Sequence, residues 1–143
     1  MRQFKIKAPI YVELGKKKKK KYFLNLNLLR NQVGHLNNNI KIAYKTLLEP
    51  LLPIGEMYFE YYSLDYELFL PDSRRRDISN LCSIIDKNFG DSIVSLGIVP
   101  EDNYYHLQDV HYRLGGYDEK GKGYVIITVK EIKHEDMLQM GRE

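Results

Sequence analysis

The chain has 143 residues, a formal net charge of +3 at pH 7 and one cysteine, Cys82. This length suits one domain with its own hydrophobic core, and the mild positive charge permits a polyanionic partner without requiring one. A lone cysteine excludes an intramolecular disulfide and fits a reducing cytoplasm, and no apolar run reaches the roughly 20 residues of a membrane span, so we expect no membrane partner.

The N-terminal part of the chain is predicted to form a β-hairpin. Residues 4–14 have the composition of a strand, and Pro9 within them favours a sheet edge. Residues 22–29 alternate leucine with asparagine, which is the period of a half-buried strand. The lysine-rich residues 15–21 between them repel one another and are expected to form a solvated turn.

Two helices are predicted by apolar residues at helical spacing. In the first helix Pro50 is expected to bend or end the helix, and the apolar positions are Leu36, Ile40, Ala43, Leu47 and Leu51. In the second helix the apolar positions are Ile78, Leu81, Cys82, Ile85 and Phe89. Residues 91–96 are expected to add a further helical turn or two, closed by Gly97.

Three further strands are predicted over residues 58–70, 107–114 and 124–132, with a loop over residues 115–123. The polar residues 133–143 are expected to form a frayed tail. The order strand–strand–helix–strand–helix–strand–strand indicates a single α+β domain over residues 1–143. We expect a mostly antiparallel or mixed sheet with the two main helices on one face.

Three acidic elements flank the second predicted helix. Asp77 stands at its entrance, Asp86 lies along it, and Glu101 and Asp102 follow it on a short loop. Carboxylates gathered in one place raise one another's pKa unless a cation neutralises them, and Mg²⁺ prefers oxygen ligands. This arrangement predicts a metal site that polarises a phosphate and activates a water.

Three consecutive arginines, Arg74, Arg75 and Arg76, directly precede the first of these aspartates. A cluster of carboxylates repels a polyanion such as DNA. Adjacent guanidinium groups would offset that repulsion and clamp the phosphates. The segment is therefore predicted to hold the polyanion while the aspartates hold the metal.

Each of these residues also has an ordinary structural explanation, and the sequence leaves both readings open. Asp77 would serve as the N-cap of the second helix. A run of charges such as residues 74–76 is usually a solvated loop. An exposed helix surface or a turn would account for Asp86, Lys87, Glu101 and Asp102.

The segments LPDSRRRDISNL, GIVPEDN and VIITVKEI, together with the helical Asp86, resemble the RusA-like Holliday-junction resolvases of bacteria and their phages. The resemblance is strongest over residues 70–132. It implies a small homodimeric, Mg²⁺-dependent endonuclease that resolves four-way DNA junctions in recombination and repair. The segment YFLNLNLLRN is similar to a phage-type branch, so we expect a bacterial cytoplasmic setting and favour a phage origin.

Carried over by position, the resemblance places the first catalytic aspartate of the family at Asp77 and the helical aspartate at Asp86. The acidic pair of the family falls on Glu101 and Asp102, with Asp102 as the metal-binding member. The implied ligand set is Asp77, Asp86 and Asp102, with Glu101 as an auxiliary. The family's asparagine is kept as Asn80, which we group with the DNA-binding residues.

Two positions depart from the family pattern, because Ser79 and Ser83 stand where the family has an aspartate and a lysine. On a helical wheel Asp86 follows Ser79 on the same stripe and could supply the missing carboxylate. Lys87 lies one turn beyond Ser83 and could stabilise charge that develops on the phosphate. A relocated site is favoured, and an inactive protein that only binds junctions is the alternative.

Further DNA contacts are expected from the lysine run, which would track the phosphate backbone of one junction arm, unless it is only a flexible turn that aids solubility. Tyr104 and Tyr105 are expected in the core, with stacking on exposed bases as the alternative. A basic RNA-binding module is a third, more distant function class. The predicted DNA-binding set is Arg74, Arg75, Arg76, Asn80, Lys17, Lys18, Lys19 and Lys20.

Overall fold

The computed structural model describes residues 2–26 and 34–136, and it confirms the predicted α+β class. The strands are β1 (Gln3–Pro9), β2 (Tyr11–Leu14), β3 (Lys20–Phe23), β4 (Tyr62–Leu70), β5 (Leu107–Tyr117) and β6 (Tyr124–Glu131). The helices are α1 (Gly34–Leu48) and α2 (Ile78–Ser95), and a 3-10 turn over Glu49–Leu51 follows α1. Four strands form a mixed sheet in the order β1-β6-β4-β5, and β2 and β3 form a separate antiparallel pair.

The hydrophobic core lies between one face of the main sheet and the helices. Along β4 every second residue is buried, from Tyr62 to Leu70, as the predicted alternation requires. Tyr66 of β4 meets Phe89 of α2 edge-on, with ring centroids 6.1 Å apart. Tyr44 of α1 is buried and donates a hydrogen bond of 2.8 Å to the carbonyl oxygen of Pro9. The two helices and the sheet therefore share one core.

The predicted first strand is two strands, because the chain turns at Ile10. β1 pairs with β6 at one edge of the main sheet, as Pro9 predicted, whereas β2 pairs with β3 as a hairpin. The hairpin turn spans residues 15–19, so Lys20 and Lys21 belong to β3. The predicted strand over residues 22–29 ends at Phe23, with one further ladder bond from the amide of Leu24 to Ile10. Residues 27–29 of that prediction lie outside the described residues.

The buried face of α1 differs from the predicted one. Ile40, Tyr44 and Leu48 are buried, whereas Leu47 and Leu51 are 43% and 42% exposed. Tyr44 was not counted among the apolar positions. Its ring is apolar, however, and its hydroxyl donates a hydrogen bond to Pro9, so the side chain can be buried in the core. The α-helix ends at Leu48, before Pro50, as predicted.

β4 and β5 run parallel, whereas the other two pairings of the main sheet are antiparallel, so the sheet is mixed and mostly antiparallel, as predicted. The helix between them returns the chain to the same end of the sheet, which is the connection that parallel strands require. β5 also runs three residues beyond the predicted end, to Tyr117. Gly115 allows this, because a Cβ atom there would lie 2.5 Å from Cζ of Phe69. β4 in turn starts at Tyr62 rather than at residue 58.

α2 runs without a break to Ser95, so the predicted extra turns over residues 91–96 continue the same helix. Gly97 follows with φ +76°, the left-handed conformation that commonly ends a helix. Cys82 is buried in this helix, and burial raises the pKa of its thiol to about 12. It is therefore a core side chain, as predicted, and not a nucleophile.

Candidate functional site

Asp86 lies on the face of α2 that packs against the parallel pair β4 and β5. Its Oδ1 accepts a hydrogen bond of 2.6 Å from the hydroxyl of Tyr66, and its Oδ2 accepts one of 3.3 Å from Tyr112. These tyrosines are register partners on the two strands. Burial raises the pKa of Asp86, the two hydroxyl groups lower it, and the charge of Asp102 raises it further. The carboxylate is thus half-buried, fixed in orientation and close to a second acid.

Asp102 reaches the same helix face from the loop before β5. Its Oδ2 lies 3.3 Å from the position that a Cβ atom of Gly90 would take, and Gly90 is one helical turn after Asp86. A glycine at this position leaves room for the carboxylate against the helix. Two acids that are distant in the sequence therefore lie along one face of α2, close enough for the charge of Asp102 to raise the pKa of Asp86.

Glu101 holds this loop through its backbone. Its carbonyl oxygen accepts a hydrogen bond of 2.9 Å from Tyr62 at the start of β4, and its side chain accepts one from the amide of Asn103. The Glu101 side chain is exposed. These contacts position the neighbouring Asp102, and the auxiliary role of the Glu101 carboxylate at the metal stays a prediction.

Asp77 lies at the other end of α2, and the structure does not bring it to Asp86 and Asp102. It occupies the N-cap position, nine residues before Asp86, which corresponds to about 13 Å along a helix and about half a turn around it. Carboxylate ligands stand only about 2 to 2.6 Å from a bound Mg²⁺ or Ca²⁺. The predicted set of three aspartates is therefore not assembled around one ion by a single chain.

The Asp77 side chain does not cap the helix, although the residue holds the N-cap position. Its Oδ2 accepts a hydrogen bond of 3.4 Å from the side-chain amide of Asn80. Both residues line a small polar cavity of about 280 Å³ together with Arg75, Arg76 and Asn25. This end of α2 is a second polar cluster, in which an acid, an amide and guanidinium groups stand together.

The three arginines have different environments. Arg76 donates to the carbonyl oxygens of Asp72 and Arg74, both at 3.2 Å, and forms a salt bridge of 2.7 Å with the Asp72 carboxylate. Hydrogen bonding to Arg76 is the largest effect that lowers the pKa of Asp72, to about 2. Arg74 lies 3.8 Å from the same carboxylate. Arg75 is exposed and forms no salt bridge within the described part of the chain.

Lys87 and Ser83 are two further positions of α2 that the sequence analysis considered. Lys87 is about 100° further around the helix than Asp86 and lines a groove between α1 and α2 with Lys41 and Asp91. It is therefore turned away from the Asp86–Asp102 pair. Ser83 stands one turn before Asp86, and its buried hydroxyl has no hydrogen-bond partner among the residues the structure describes.

The lysine run is exposed throughout and stands on the hairpin of β2 and β3. Lys21 lies over the ring of Tyr11, 4.5 Å from its centroid, and Lys20 lies 5.4 Å from that of Tyr22. Gly15 has φ +129°, and a Cβ atom there would lie 2.3 Å from the carbonyl oxygen of Lys18. The turn is thus a defined structure that presents its lysines to solvent.

Tyr104 and Tyr105 are exposed, in contrast to the expectation that they pack in the core. Their side chains are 52% and 48% exposed, and their rings stack on each other with centroids 4.5 Å apart. They follow Asp102 in the loop before β5, with Asn103 between Asp102 and the pair. An aromatic pair therefore stands at the surface beside the acidic pair.

Sequence reasoning missed the partners of Asp86. Tyr66 alternates with Leu64 and Leu68 on the buried face of β4, and a buried tyrosine hydroxyl needs a hydrogen-bond partner. That requirement could have predicted a polar partner for Tyr66 on the helix that packs against β4. Gly90 and Tyr112 carried no comparable signal, because their roles depend on how α2 lies across the sheet.

Comparison of the chain with models of known protein families and with curated protein sequences gives no match. Among residues 2–26 and 34–136, no group of three or more His, Cys, Asp or Glu side chains is arranged to hold a metal ion. No helix within those ranges has the length and apolar character needed to cross a membrane. The function is therefore argued from the chemistry of the two clusters on α2.

Proposed function

We propose that the chain is a divalent-metal-dependent endonuclease of the RusA-like Holliday-junction resolvase type, which hydrolyses phosphodiester bonds in four-way DNA junctions. The observation that carries this proposal is the convergence of Asp86 and Asp102 on one face of α2, while Arg75 lies exposed at the entrance of the same helix. A pair of acids for the metal, with a cationic contact for the strand further along the same helix, is a combination suited to metal-dependent phosphodiester cleavage.

The donor atoms of this pair fit Mg²⁺. Mg²⁺ is held in proteins by one or two carboxylates and keeps several waters, so a third protein ligand is not required. Each carboxylate oxygen of Asp86 accepts one hydroxyl and retains capacity for another partner. Asp86 and Asp102 would hold the ion, and the chemistry supplied by the bound metal would be polarisation of the phosphodiester and activation of a water.

The residues of the chain would prepare this site before substrate arrives. Tyr66 and Tyr112 hold the Asp86 carboxylate in one orientation, and Tyr62 fixes the loop that carries Asp102. Such preorganisation removes the cost of arranging the acids during the reaction. Lys87 has no catalytic role in this proposal, because it lines the groove between the helices.

Asp77 enters the proposal separately from the other two aspartates. It stands with Asn80 and Arg75 at the entrance of α2, about 13 Å along the helix from Asp86. We assign this cluster to the DNA strand rather than to the same ion. A homodimer stays part of the proposal, since a four-way junction offers two equivalent strands to a two-fold symmetric enzyme.

Two exposed features would provide further contacts with the junction. The stacked pair of Tyr104 and Tyr105 presents aromatic faces beside Asp102, where an unpaired base of the branch point could stack. The lysines of the hairpin would track the phosphate backbone of one arm without reading its sequence.

The test is a cleavage assay with a labelled four-way junction, a linear duplex and an RNA, each in Mg²⁺ or EDTA. The parent should nick the junction only in Mg²⁺, and the Asp86→Asn and Asp102→Asn variants should lose at least about 100-fold in rate. Asp109→Asn is the matched control, because Asp109 is exposed and pairs only with His111 among the described residues, at 2.8 Å. Full activity in both site variants would overturn the proposal.

A second candidate is a junction-binding protein without catalysis. Two observations favour it: Ser79 and Ser83 replace the acid and the lysine of the family pattern, and both oxygens of Asp86 are already engaged by tyrosines. Such a protein would bind the junction equally in EDTA and Mg²⁺ and never nick it. A basic RNA-binding module would instead show no preference for branched over linear DNA.

A further inference from the structure

A cationic pocket of about 300 Å³ lies at the end of the main sheet where β1 stops and β6 starts. The loop from β5 to β6 forms one wall of this pocket. Three lysines line it, Lys7 from β1 and Lys120 and Lys122 from the loop, together with Tyr124 and Asp118. The sequence patterns that pointed to α2 gave no role to this region.

The loop that carries two of the lysines is held in one shape by Asp118. Its carboxylate accepts hydrogen bonds of 3.0, 3.2 and 2.9 Å from the backbone amides of Lys120, Lys122 and Gly123. These backbone hydrogen bonds, first that of Lys120, lower the pKa of Asp118. Gly123 has φ +81° and room for no side chain, since a Cβ atom would lie 2.6 Å from Ile10. The only acid lining the pocket, among the described residues, therefore serves the loop backbone.

The third lysine is positioned by aromatic rings. The Lys7 ammonium lies over the Tyr124 ring, 4.1 Å from its centroid, and Tyr124 stacks on Phe69 at 4.5 Å. None of the three lysines forms a salt bridge within the described part of the chain. Lys41, in comparison, pairs with Asp91 at 3.1 Å. Among the described residues, the pocket thus presents three ammonium groups outside any salt bridge, and the charge of Lys7 contributes only after the backbone hydrogen bonds to lowering the pKa of Asp118.

The pocket adjoins the segment that leads to the arginines. The amide of Asp118 donates a hydrogen bond of 2.7 Å to Leu70, and Cδ of Pro71 lies 3.0 Å from the Cβ position of Gly123. Arg75 follows Pro71 by four residues. A nucleic-acid strand that meets Arg75 would therefore have a second cationic position within reach along the same end of the sheet.

We propose that Lys7, Lys120 and Lys122 form a binding site for a backbone phosphate of a nucleic-acid strand, separate from the acidic pair on α2. The proposal rests on the proposed function only in taking that strand to be an arm of the DNA junction. Lysine ammonium groups recognise phosphate as a point charge, so the site would be independent of base sequence.

The experiment compares two double variants with the same change in charge. Lys120→Gln/Lys122→Gln removes two lysines from the pocket, and Lys130→Gln/Lys133→Gln removes two exposed lysines at the other end of β6. Binding of a fluorescent four-way junction and a linear duplex is measured by anisotropy in EDTA at several salt concentrations. Thermal unfolding of both variants verifies the fold.

The pocket variant should bind both DNAs about tenfold more weakly than the parent near 0.1 M salt, and the slope of log affinity against log salt should fall by about one to two. The control variant should stay within about threefold of the parent. Equal losses in the two variants would indicate a general charge effect and overturn the site.

Failure of the pocket and failure of the nuclease proposal give different results. Cleavage by the parent together with unchanged affinity in the pocket variant would remove the phosphate site and leave the nuclease. Absence of nicking by the parent, together with weaker binding by the pocket variant alone, would remove the nuclease and support a phosphate site in a DNA-binding protein.

Discussion

The hydroxyl of Tyr66 donates a hydrogen bond of 2.6 Å to Oδ1 of Asp86, and this bond joins the hydrophobic core to the candidate site. Tyr66 is fully buried between β4 and α2, so its hydroxyl has one direction in which to point. A carboxylate held by such a rigid partner cannot turn away into solvent. The orientation of Asp86 is therefore a consequence of how the core packs.

Replacement of Tyr66 by phenylalanine should destabilise the protein and loosen Asp86. Loss of a hydrogen bond to a charged group costs about 1.5 to 3 kcal/mol, and the pKa of Asp86 should rise further because one stabilising hydroxyl is gone. Urea denaturation and the Mg²⁺-dependent shift of the unfolding midpoint measure the two effects. Tyr44→Phe is the control: its hydroxyl binds a backbone carbonyl, so stability should fall while the Mg²⁺ response persists.

The raised pKa of Asp86 makes stability depend on pH in a defined direction. Below about pH 3.9, the ordinary value for aspartate, Asp86 is protonated in both folded and unfolded chains. Between that pH and the raised folded pKa, only the unfolded chain releases the proton, so the free energy of unfolding falls as pH rises. Asn has no proton to release at this position.

The Asp86→Asn variant should therefore gain stability relative to the parent as pH rises through this window, and the gain should level off above the folded pKa. Urea denaturation of parent and variant between about pH 3 and pH 8 measures the difference. Using the difference removes contributions from other carboxylates, including Asp72. A difference that does not change with pH would contradict the assigned direction.

Substitution of Gly90 tests the position of Asp102 without replacing either acid. Alanine is about 1 kcal/mol better than glycine within a helix, so Gly90→Ala should keep or raise the unfolding midpoint. The new methyl group would stand 3.3 Å from Oδ2 of Asp102, so the carboxylate must shift by a few tenths of an ångström. We expect weaker Mg²⁺ binding and slower cleavage in a protein that is no less stable.

The control for Gly90→Ala is Gly34→Ala, because a Cβ atom at Gly34 would meet nothing within 4 Å. That variant should behave as the parent in Mg²⁺ titrations. Unchanged Mg²⁺ binding in Gly90→Ala would show that the contact between Asp102 and the helix is not part of the site.

Arg76 and Arg75 should differ in role, with Arg76 stabilising the fold and Arg75 binding DNA. Arg76→Gln removes the bridge to Asp72 and two carbonyl contacts, so it should lower the unfolding midpoint. Arg75→Gln should change stability by less than about 0.5 kcal/mol, as is usual at exposed positions. Its effect should be on junction affinity, with a reduction of about 0.9 in the salt slope for the lost phosphate contact. Identical salt slopes in both variants would argue against this division.

The sequence predicted those features that depend on local pattern. The alternation of Leu64, Tyr66 and Leu68 predicted β4, and the apolar stripe that includes Ile85 and Phe89 predicted α2. Pro50 and Gly97 predicted helix ends, which are also set by local geometry. Each of these signals is a property of a few neighbouring residues.

Other features depended on contacts between distant segments, and the sequence did not predict them. The first predicted strand is interrupted at Ile10 because the hairpin of β2 and β3 leaves the main sheet. The parallel pairing of β4 and β5 follows from the path of α2. The separation of Asp77 from Asp86 is different, since nine residues of helix fix it. The resemblance placed both aspartates in one ligand set, whereas nine residues of helix separate them by about 13 Å along the axis and about half a turn around it.

The most direct test of the account is whether Asp86 and Asp102 hold one divalent ion together. A ligand that binds only the folded chain raises its unfolding temperature, so the Mg²⁺-induced rise can be measured in the parent, Asp86→Asn, Asp102→Asn, the double variant and the Asp109→Asn control. We predict that each single variant loses the rise, that the double variant loses no more, and that the control keeps it. A rise of parental size in either single variant would contradict the shared site.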